Sequence, residues 1–88
     1  MTRMLFVCTG NTCRSPMAEV IARSAAVRRK LDVEVASAGL LAGPGAPAAE
    51  HARTLASEHG LDLSAHRAAV LAPDDLEMSD LVLGMTPR

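Results

Sequence analysis

Three short apolar segments of the chain have the lengths and patterns of β-strands. Residues 4–7 form an unbroken apolar run that ends at a polar stretch, as expected for a strand buried on both faces of a parallel sheet. Val33 and Val35 alternate with acidic residues and predict a second strand with one polar face. Residues 80–85 predict a third strand, with Asp80 at its start.

The polar and apolar positions after the first strand predict a long helix. Ser15 as N-cap and Pro16 as the first helical residue favour a start there, and Glu19 should add negative charge in the opening turn. The helix is expected to run to about Lys30, with basic residues at its carbonyl end. Its apolar residues that repeat at helical spacing are Met17, Val20, Ile21 and Ala25.

Two more helices are expected between the second and third strands. Residues 48–59 predict one that ends at Gly60, which is suited to the left-handed conformation that terminates helices. Residues 73–76 predict one or two further turns. The order βαβαβ is typical of an α/β fold with a parallel sheet and right-handed crossovers. A chain of 88 residues has room for one core, and we expect a single, incomplete domain over residues 1–88.

Composition and charge narrow the functional classes. The net charge is −1 and Phe6 is the one aromatic residue, so we expect neither nucleic acid nor an anionic membrane as a partner. No apolar run has the length of a membrane span, and cytoplasmic localisation is expected. His51 and His59 have no cysteine or acidic cluster beside them in the sequence. They should be solvated, and no metal or other cofactor is expected.

The loop between the first strand and the first helix is the candidate reactive site. Five residues separate Cys8 from Arg14. Backbone N–H groups of such a loop can form an anion nest at a helix N-terminus, and an arginine can hold two phosphate oxygens. The same field favours the thiolate form of Cys8, which could attack a bound phosphorus. The alternative is a cysteine that only fills the core.

The segment VCTGNTCRSPMAE closely resembles the phosphate loop of the low-molecular-weight protein tyrosine phosphatases. Later segments, SAG at residues 37–39, GLDLSAHR at 60–67 and DLVLGM at 80–85, resemble further family segments in the same order. The resemblance implies a flavodoxin-like parallel sheet of three strands with flanking helices, which lacks the family's last strand and helix. It also implies a protein phosphatase that acts on phosphorylated proteins through a phosphocysteine intermediate.

The resemblance assigns roles to individual residues. Cys8 would be the nucleophile and Arg14 the phosphate-binding arginine, both catalytic. Ser37 and His66 would support the loop through hydrogen bonds. The residues that would bind substrate are Thr9, Gly10, Asn11, Thr12, Cys13 and Ser15.

Two positions bear on the substrate. Thr12 is similar to the bacterial branch of the family that acts on phosphoarginine, whereas many tyrosine phosphatases carry a bulkier aliphatic residue there. Leu40 and Leu41 stand where an aromatic residue is common, which disfavours tight stacking on a phosphotyrosine ring. The sequence leaves both substrates open and favours phosphoarginine.

The catalytic Asp-Pro pair that the family carries late in its sequence does not occur in these 88 residues. We therefore expect impaired turnover, with a phosphate-binding pseudophosphatase or a non-functional fragment as the alternative. An arsenate reductase would need further cysteines, and none follows Cys13. The incomplete sheet should leave an open edge through which the chain associates with itself. Cys13 is either a loop residue or a redox partner that captures oxidised Cys8 as a disulfide.

Overall fold

A three-stranded parallel sheet in the order β2-β1-β3 is the centre of the structure, a computed structural model that describes residues 2–84. The predicted βαβαβ order is confirmed. The part of the third-strand prediction that falls on Met85 lies outside the described residues. The elements are β1 (Thr2–Cys8), α1 (Arg14–Arg28), β2 (Val33–Gly39), α2 (Glu50–Glu58), α3 (Pro73–Met78) and β3 (Leu81–Gly84).

The register of β1 and β2 brings the ends of the two strands together. β1 pairs with both other strands, and its Leu5 and Val7 are buried with Ala38 of β2. Cys8, the last residue of β1, lies opposite Gly39, the last residue of β2. Since parallel strands end at the same edge of a sheet, the loops that follow them share one site.

The start of α1 differs from the prediction. The helix begins at Arg14, and the residue at the N-cap position is Cys13, whose side chain makes no capping hydrogen bond. Ser15 is therefore inside the first turn, and the N-cap prediction is wrong. The physical reason is that the Ser15 hydroxyl faces the loop and bonds side chains there instead of a helical N–H group. Glu19 likewise lies beyond the first turn, which contains no acidic residue.

The buried face of α1 was predicted only in part. Met17 and Val20 pack against a core cluster, as expected, whereas Ile21 is 49% exposed. Ala26 is buried instead. Helical spacing fixes which residues share a face, but it does not show which face meets the rest of the protein. The helix also ends at Arg28, two residues before the predicted end.

α2 packs an alanine-rich face into the core, and the residue before it is hydrogen-bonded to the loop between β1 and α1. It starts two residues later than predicted and ends one residue earlier, and Gly60 has the expected positive φ of 77°. The backbone N–H of Ala49 donates to the carbonyl oxygen of Thr12 at 2.7 Å, which ties the start of α2 to the candidate loop. The cluster that α2 forms with the following loop contains Ala48, Ala52, Ala56 and Leu63.

β3 pairs with β1, and all four of its residues are exposed. Asp80 was predicted as the first residue of the strand but lies one residue before it. The backbone N–H of Arg3 donates to the Asp80 carboxylate, and the backbone N–H of Asp80 donates to the Arg3 carbonyl oxygen, both at 2.8 Å. Within residues 2–84, β1 is the only strand hydrogen-bonded to β3. No helix in this part of the chain is long and apolar enough to cross a membrane.

Candidate active site

The loop between β1 and α1 wraps around a cavity of about 150 Å³. Asn11 has a positive φ of 56°, a left-handed conformation that asparagine tolerates better than most residues and that turns the loop back on itself. All the residues that the sequence assigned to catalysis or substrate binding, except Ser15, line this cavity. They are Cys8, Thr9, Gly10, Asn11, Thr12, Cys13 and Arg14.

Cys8 lies at the bottom of the loop, 8% exposed, and receives several hydrogen bonds. Its sulfur is 2.9 Å from the Ser15 hydroxyl oxygen, and the backbone N–H of Asn11 donates to it at 3.1 Å. Burial raises the pKa of the Cys8 thiol, but the hydrogen bonds from Ser15, Asn11 and Gly10 outweigh burial and bring that pKa below its ordinary value. This environment favours a thiolate, whereas a core-filling cysteine would be held neutral.

Asn11 is the centre of the loop and is fully buried. Its side-chain amide donates to Ser15 Oγ at 2.8 Å and to Ser37 Oγ at 3.0 Å, and its Oδ1 accepts from the backbone N–H of Ala69 at 2.9 Å. Both the amide nitrogen and Oδ1 of Asn11 are thus hydrogen-bonded, so the buried side chain carries no penalty for an unpaired polar group. The Asn11 side chain therefore joins the loop to α1, to β2 and to the segment of Ala69.

His66 and Ser37, to which the resemblance assigns a supporting role, both contact Asn11. A ring N–H of His66, at Nε2, donates to the Asn11 carbonyl oxygen at 2.8 Å. Ser37 accepts from the Asn11 amide and in turn donates to the Glu19 carboxylate. These contacts join the loop to β2 and to the segment before Val70.

Sequence reasoning missed two residues behind this network. Glu19 accepts from Ser37 and pairs with Arg23, one helical turn further along α1. Arg23 also donates to the Val35 carbonyl oxygen at 2.9 Å, which ties the pair to β2. The i, i+4 spacing of Glu19 and Arg23 was a signal that could have marked them as an ion pair.

Another missed contact joins Cys13 to α2. The Cys13 sulfur is 3.1 Å from His51 Nε2. His51 is exposed, as expected of a solvated residue. The expectation that no cysteine lies beside it is wrong, because α2 starts at the loop and brings the His51 ring to a thiol 38 positions away in the sequence. No cluster of three metal-ligating side chains lies within residues 2–84.

Two leucines that follow β2 lie next to the loop. The backbone N–H groups of Leu40 and Leu41 donate to the carbonyl oxygens of Cys8 and Thr9 at 2.9 and 2.8 Å. Their side chains are 60% and 81% exposed, so they form an open aliphatic surface next to the loop. Arg14, the first residue of α1, is exposed at the same cavity.

Comparison with known proteins places this site in a family. A family model described as "Low molecular weight phosphotyrosine protein phosphatase" matches residues 3–88. The protein-arginine-phosphatase of Bacillus subtilis (strain 168) is 47% identical over 83 residues, which are 94% of this chain and 55% of that protein. The probable low-molecular-weight protein-tyrosine-phosphatase AmsI of Erwinia amylovora is 45% identical over 85 residues, 97% of this chain and 56% of that protein. The chain thus spans about half the length of these curated relatives.

Solved structures agree with the sequence match. A low-molecular-weight protein tyrosine phosphatase from T. tengcongensis superposes with a TM-score of 0.91 at 50% identity, over 97% of this chain and 58% of that one. The YwlE arginine phosphatase, in a mutant with a phosphorylated active-site serine, superposes with a TM-score of 0.93 at 45% identity, over 97% and 55% of the two chains. The chain belongs to the low-molecular-weight protein phosphatase family.

Proposed function

We propose that residues 1–88 act as one phosphatase domain in which Cys8 attacks the phosphorus of a phosphorylated protein. The observation that carries this proposal is the set of hydrogen bonds that converge on the Cys8 sulfur from Ser15 and Asn11. A buried thiol with such donors, at the end of a strand and ahead of a helix N-terminus, is suited to be a nucleophile.

In the proposed reaction the Cys8 thiolate forms an S–P bond while the bond from phosphorus to the leaving group breaks. The leaving group takes the electron pair of that bond and a proton from solvent water. Arg14 and the backbone N–H groups of the loop hold the other phosphoryl oxygens during transfer. Water then attacks phosphorus, the S–P bond breaks, and Cys8 leaves as a thiolate that the Ser15 hydroxyl stabilises.

We propose that protonation of the leaving group is the slow step for the 88-residue chain. No Asp-Pro dipeptide occurs in it, and Asp74, Asp75 and Asp80 are not among the residues that line the loop cavity. A general acid contributes typically 10²- to 10⁴-fold to the rate. We therefore propose slow turnover of natural substrates by this chain alone, and phosphate binding without turnover is the second candidate function.

Phosphoarginine is the substrate class that we favour over phosphotyrosine. The Bacillus subtilis relative is named a protein-arginine-phosphatase, and Thr12 supplies a hydroxyl at the cavity where an aliphatic side chain could not form a hydrogen bond. The aliphatic surface of Leu40 and Leu41 has no aromatic ring to stack on a phenyl group.

We propose that the activity belongs to the reducing cytoplasm, because Cys8 and Cys13 are both free thiols.

The first test uses an activated aryl phosphate, whose leaving group needs no general acid. Turnover by the wild-type chain and by His59→Ala, an exposed residue at the end of α2, should be equal and should disappear in Cys8→Ser. Turnover that survives in Cys8→Ser would overturn the nucleophile assignment. Phosphate binding without turnover in either form would support the pseudophosphatase.

A second test addresses the substrate. Peptides of one sequence that carry phosphoarginine or phosphotyrosine are compared on wild-type protein and on Thr12→Ile, with release of inorganic phosphate as the readout. We expect wild type to prefer phosphoarginine and Thr12→Ile to shift the ratio toward phosphotyrosine. Equal rates on the two peptides in wild type would refute the preference.

A further inference from the structure

A continuous chain of hydrogen bonds leads from the α1 surface to the Cys8 sulfur. It starts at the Glu19 carboxylate, which accepts from the Ser37 hydroxyl. Ser37 Oγ accepts from the Asn11 amide at 3.0 Å, and the same amide donates to Ser15 Oγ at 2.8 Å. Ser15 Oγ is 2.9 Å from the Cys8 sulfur. Four side chains thus link α1, β2 and the loop to the nucleophile.

When Cys8 is a thiolate, which can only accept, the donors and acceptors in this chain take one order. The backbone N–H of Ala69 donates to Asn11 Oδ1, so both amide hydrogens of Asn11 point to the two serines. A serine hydroxyl has one hydrogen, so a serine that accepts from Asn11 must give its own hydrogen elsewhere. A carboxylate can only accept, and Glu19 therefore takes the hydrogen of Ser37. The remaining hydrogen, on Ser15, points to the Cys8 sulfur.

We propose that Glu19 is a positioning residue for the reaction: by accepting from Ser37 it fixes the orientation of Asn11 and Ser15, so that the Ser15 hydroxyl donates to Cys8. The inference rests on the proposed role of Cys8 as nucleophile. It adds Glu19 as the residue that orients the Ser15 hydroxyl toward Cys8. Arg23 keeps the Glu19 carboxylate in place, because it binds both Glu19 and the Val35 carbonyl oxygen.

The proposal and a simple charge effect predict opposite signs. A carboxylate acting through space disfavours a nearby thiolate, so its removal would lower the pKa of Cys8. If Glu19 acts through the hydrogen-bond chain, its removal frees Ser37 to turn its hydrogen toward Asn11, loosens the amide and weakens the Ser15 donor, so that pKa rises. Glu19 borders a cavity with four other charged or titratable side chains, none of which is substituted in the variants compared. They are Arg23, Asp62, His66 and Arg67.

The test compares Glu19→Met with Glu19→Gln. Both remove the charge, but glutamine keeps an oxygen that can accept from Ser37. Pro16, Val20 and Leu63 border the same cavity and offer apolar neighbours to a methionine side chain. The readout is the pH midpoint of Cys8 alkylation by iodoacetamide, with peptide fragmentation separating Cys8 from Cys13. We expect Glu19→Met to raise the midpoint by about 0.5–1 pH unit. At a pH below the midpoint, this shift makes alkylation about three to ten times slower. Glu19→Gln should raise the midpoint by less than half as much.

Two controls separate positioning from structural damage. Glu58→Met makes the same substitution on the exposed surface of α2 and should leave the midpoint unchanged. In a Ser37→Ala background, Glu19→Met should add no further shift, because the link to Asn11 is already removed. Thermal melts show whether each variant is folded. If Glu19→Met is unfolded, the alkylation midpoints of Glu19→Gln and Ser37→Ala are compared instead.

A lowered or unchanged midpoint in folded Glu19→Met, or equal upward shifts for Met and Gln, would overturn the proposal. Alkylation needs no phosphate and no turnover, so it reports on the network even if the aryl phosphate is not hydrolysed. Failure of the phosphatase assay with the expected midpoints would reject the proposed function alone. The reverse pattern would reject the role of Glu19 alone.

Discussion

Replacement of Ser15 by alanine removes the hydroxyl that donates to Cys8 and should raise the pKa of the thiol. The hydroxyl oxygen is 2.9 Å from the sulfur, within hydrogen-bonding range. A hydrogen bond to a charged group contributes about 1.5–3 kcal/mol, and one pKa unit corresponds to about 1.4 kcal/mol. The expected rise is therefore about 1–2 units. It stops short of a complete return to the ordinary value, because the backbone N–H groups of Gly10 and Asn11 still favour the thiolate.

The assay is the rate of Cys8 alkylation as a function of pH. Ser24→Ala is the matched control, since Ser24 lies nine residues, or about 13.5 Å, further along α1. Ser15→Ala should shift the midpoint upward by about 1–2 pH units while Ser24→Ala leaves it unchanged. A folded Ser15→Ala protein with the wild-type midpoint would refute the claim that this hydroxyl donates to the thiolate.

The same substitution should change how stability depends on pH. Because the pKa of Cys8 is lower in the folded protein than in the unfolded chain, the thiolate stabilises the fold above the ordinary thiol pKa. This contribution is lost as the pH falls through the lowered folded value. In Ser15→Ala the pKa of Cys8 in the folded protein lies closer to that in the unfolded chain. The free energy of unfolding of this variant, measured in urea, should therefore rise less steeply with pH than that of the wild type.

Four further perturbations test the surroundings of the site. Asn11→Asp cannot donate to the two serines, and should lower the free energy of unfolding in urea by at least about 2 kcal/mol; a stable variant would contradict the buried network. Gly39→Ala would put a Cβ 2.8 Å from a loop carbonyl oxygen and should destabilise by about 1–3 kcal/mol, whereas Gly43→Ala, in open space, should not. Val82→Lys on the exposed β3 should reduce self-association in sedimentation over a dilution series, and a wild type that is monomeric at all concentrations would refute the edge contact. Mild peroxide should yield a Cys8–Cys13 disulfide by mass spectrometry, and sulfonic acid on Cys8 without that link would reject Cys13 as its redox partner.

The order of elements and the position of the reactive loop could be predicted because both depend on local signals. A buried apolar run followed by a polar loop and a helix start is visible in residues 4–16 without any tertiary information. Cys8 and Arg14 then lie at the ends of the loop by sequence spacing alone. The structure agrees with these local predictions to within two residues at most helix and strand ends.

Apart from shifts of one or two residues at helix ends, the errors concern the direction of a side chain. Ser15 has the residue type and place of an N-cap, but its hydroxyl turns toward Cys8 because Asn11 offers a donor on that side. His51 meets Cys13 only because α2 is anchored to the loop through Thr12. Ile21 belongs to the right periodic set but lies on the exposed face. Each outcome depends on residues far apart in the sequence, which periodicity does not report.

The position of Gly39 explains how the short polar loop can be hydrogen-bonded to the rest of the fold. A side chain at this position would approach the Thr9 carbonyl oxygen and the Asn11 Cβ to 2.8 and 3.0 Å, so glycine allows β2 to run directly against the loop. That close approach brings Ser37 and the segment of Ala69 within reach of Asn11. The loop is therefore held by hydrogen bonds to the fold itself. Donors fixed in this way need little reorganisation when charge develops on a bound phosphoryl group, which is the main requirement for electrostatic stabilisation of a transition state.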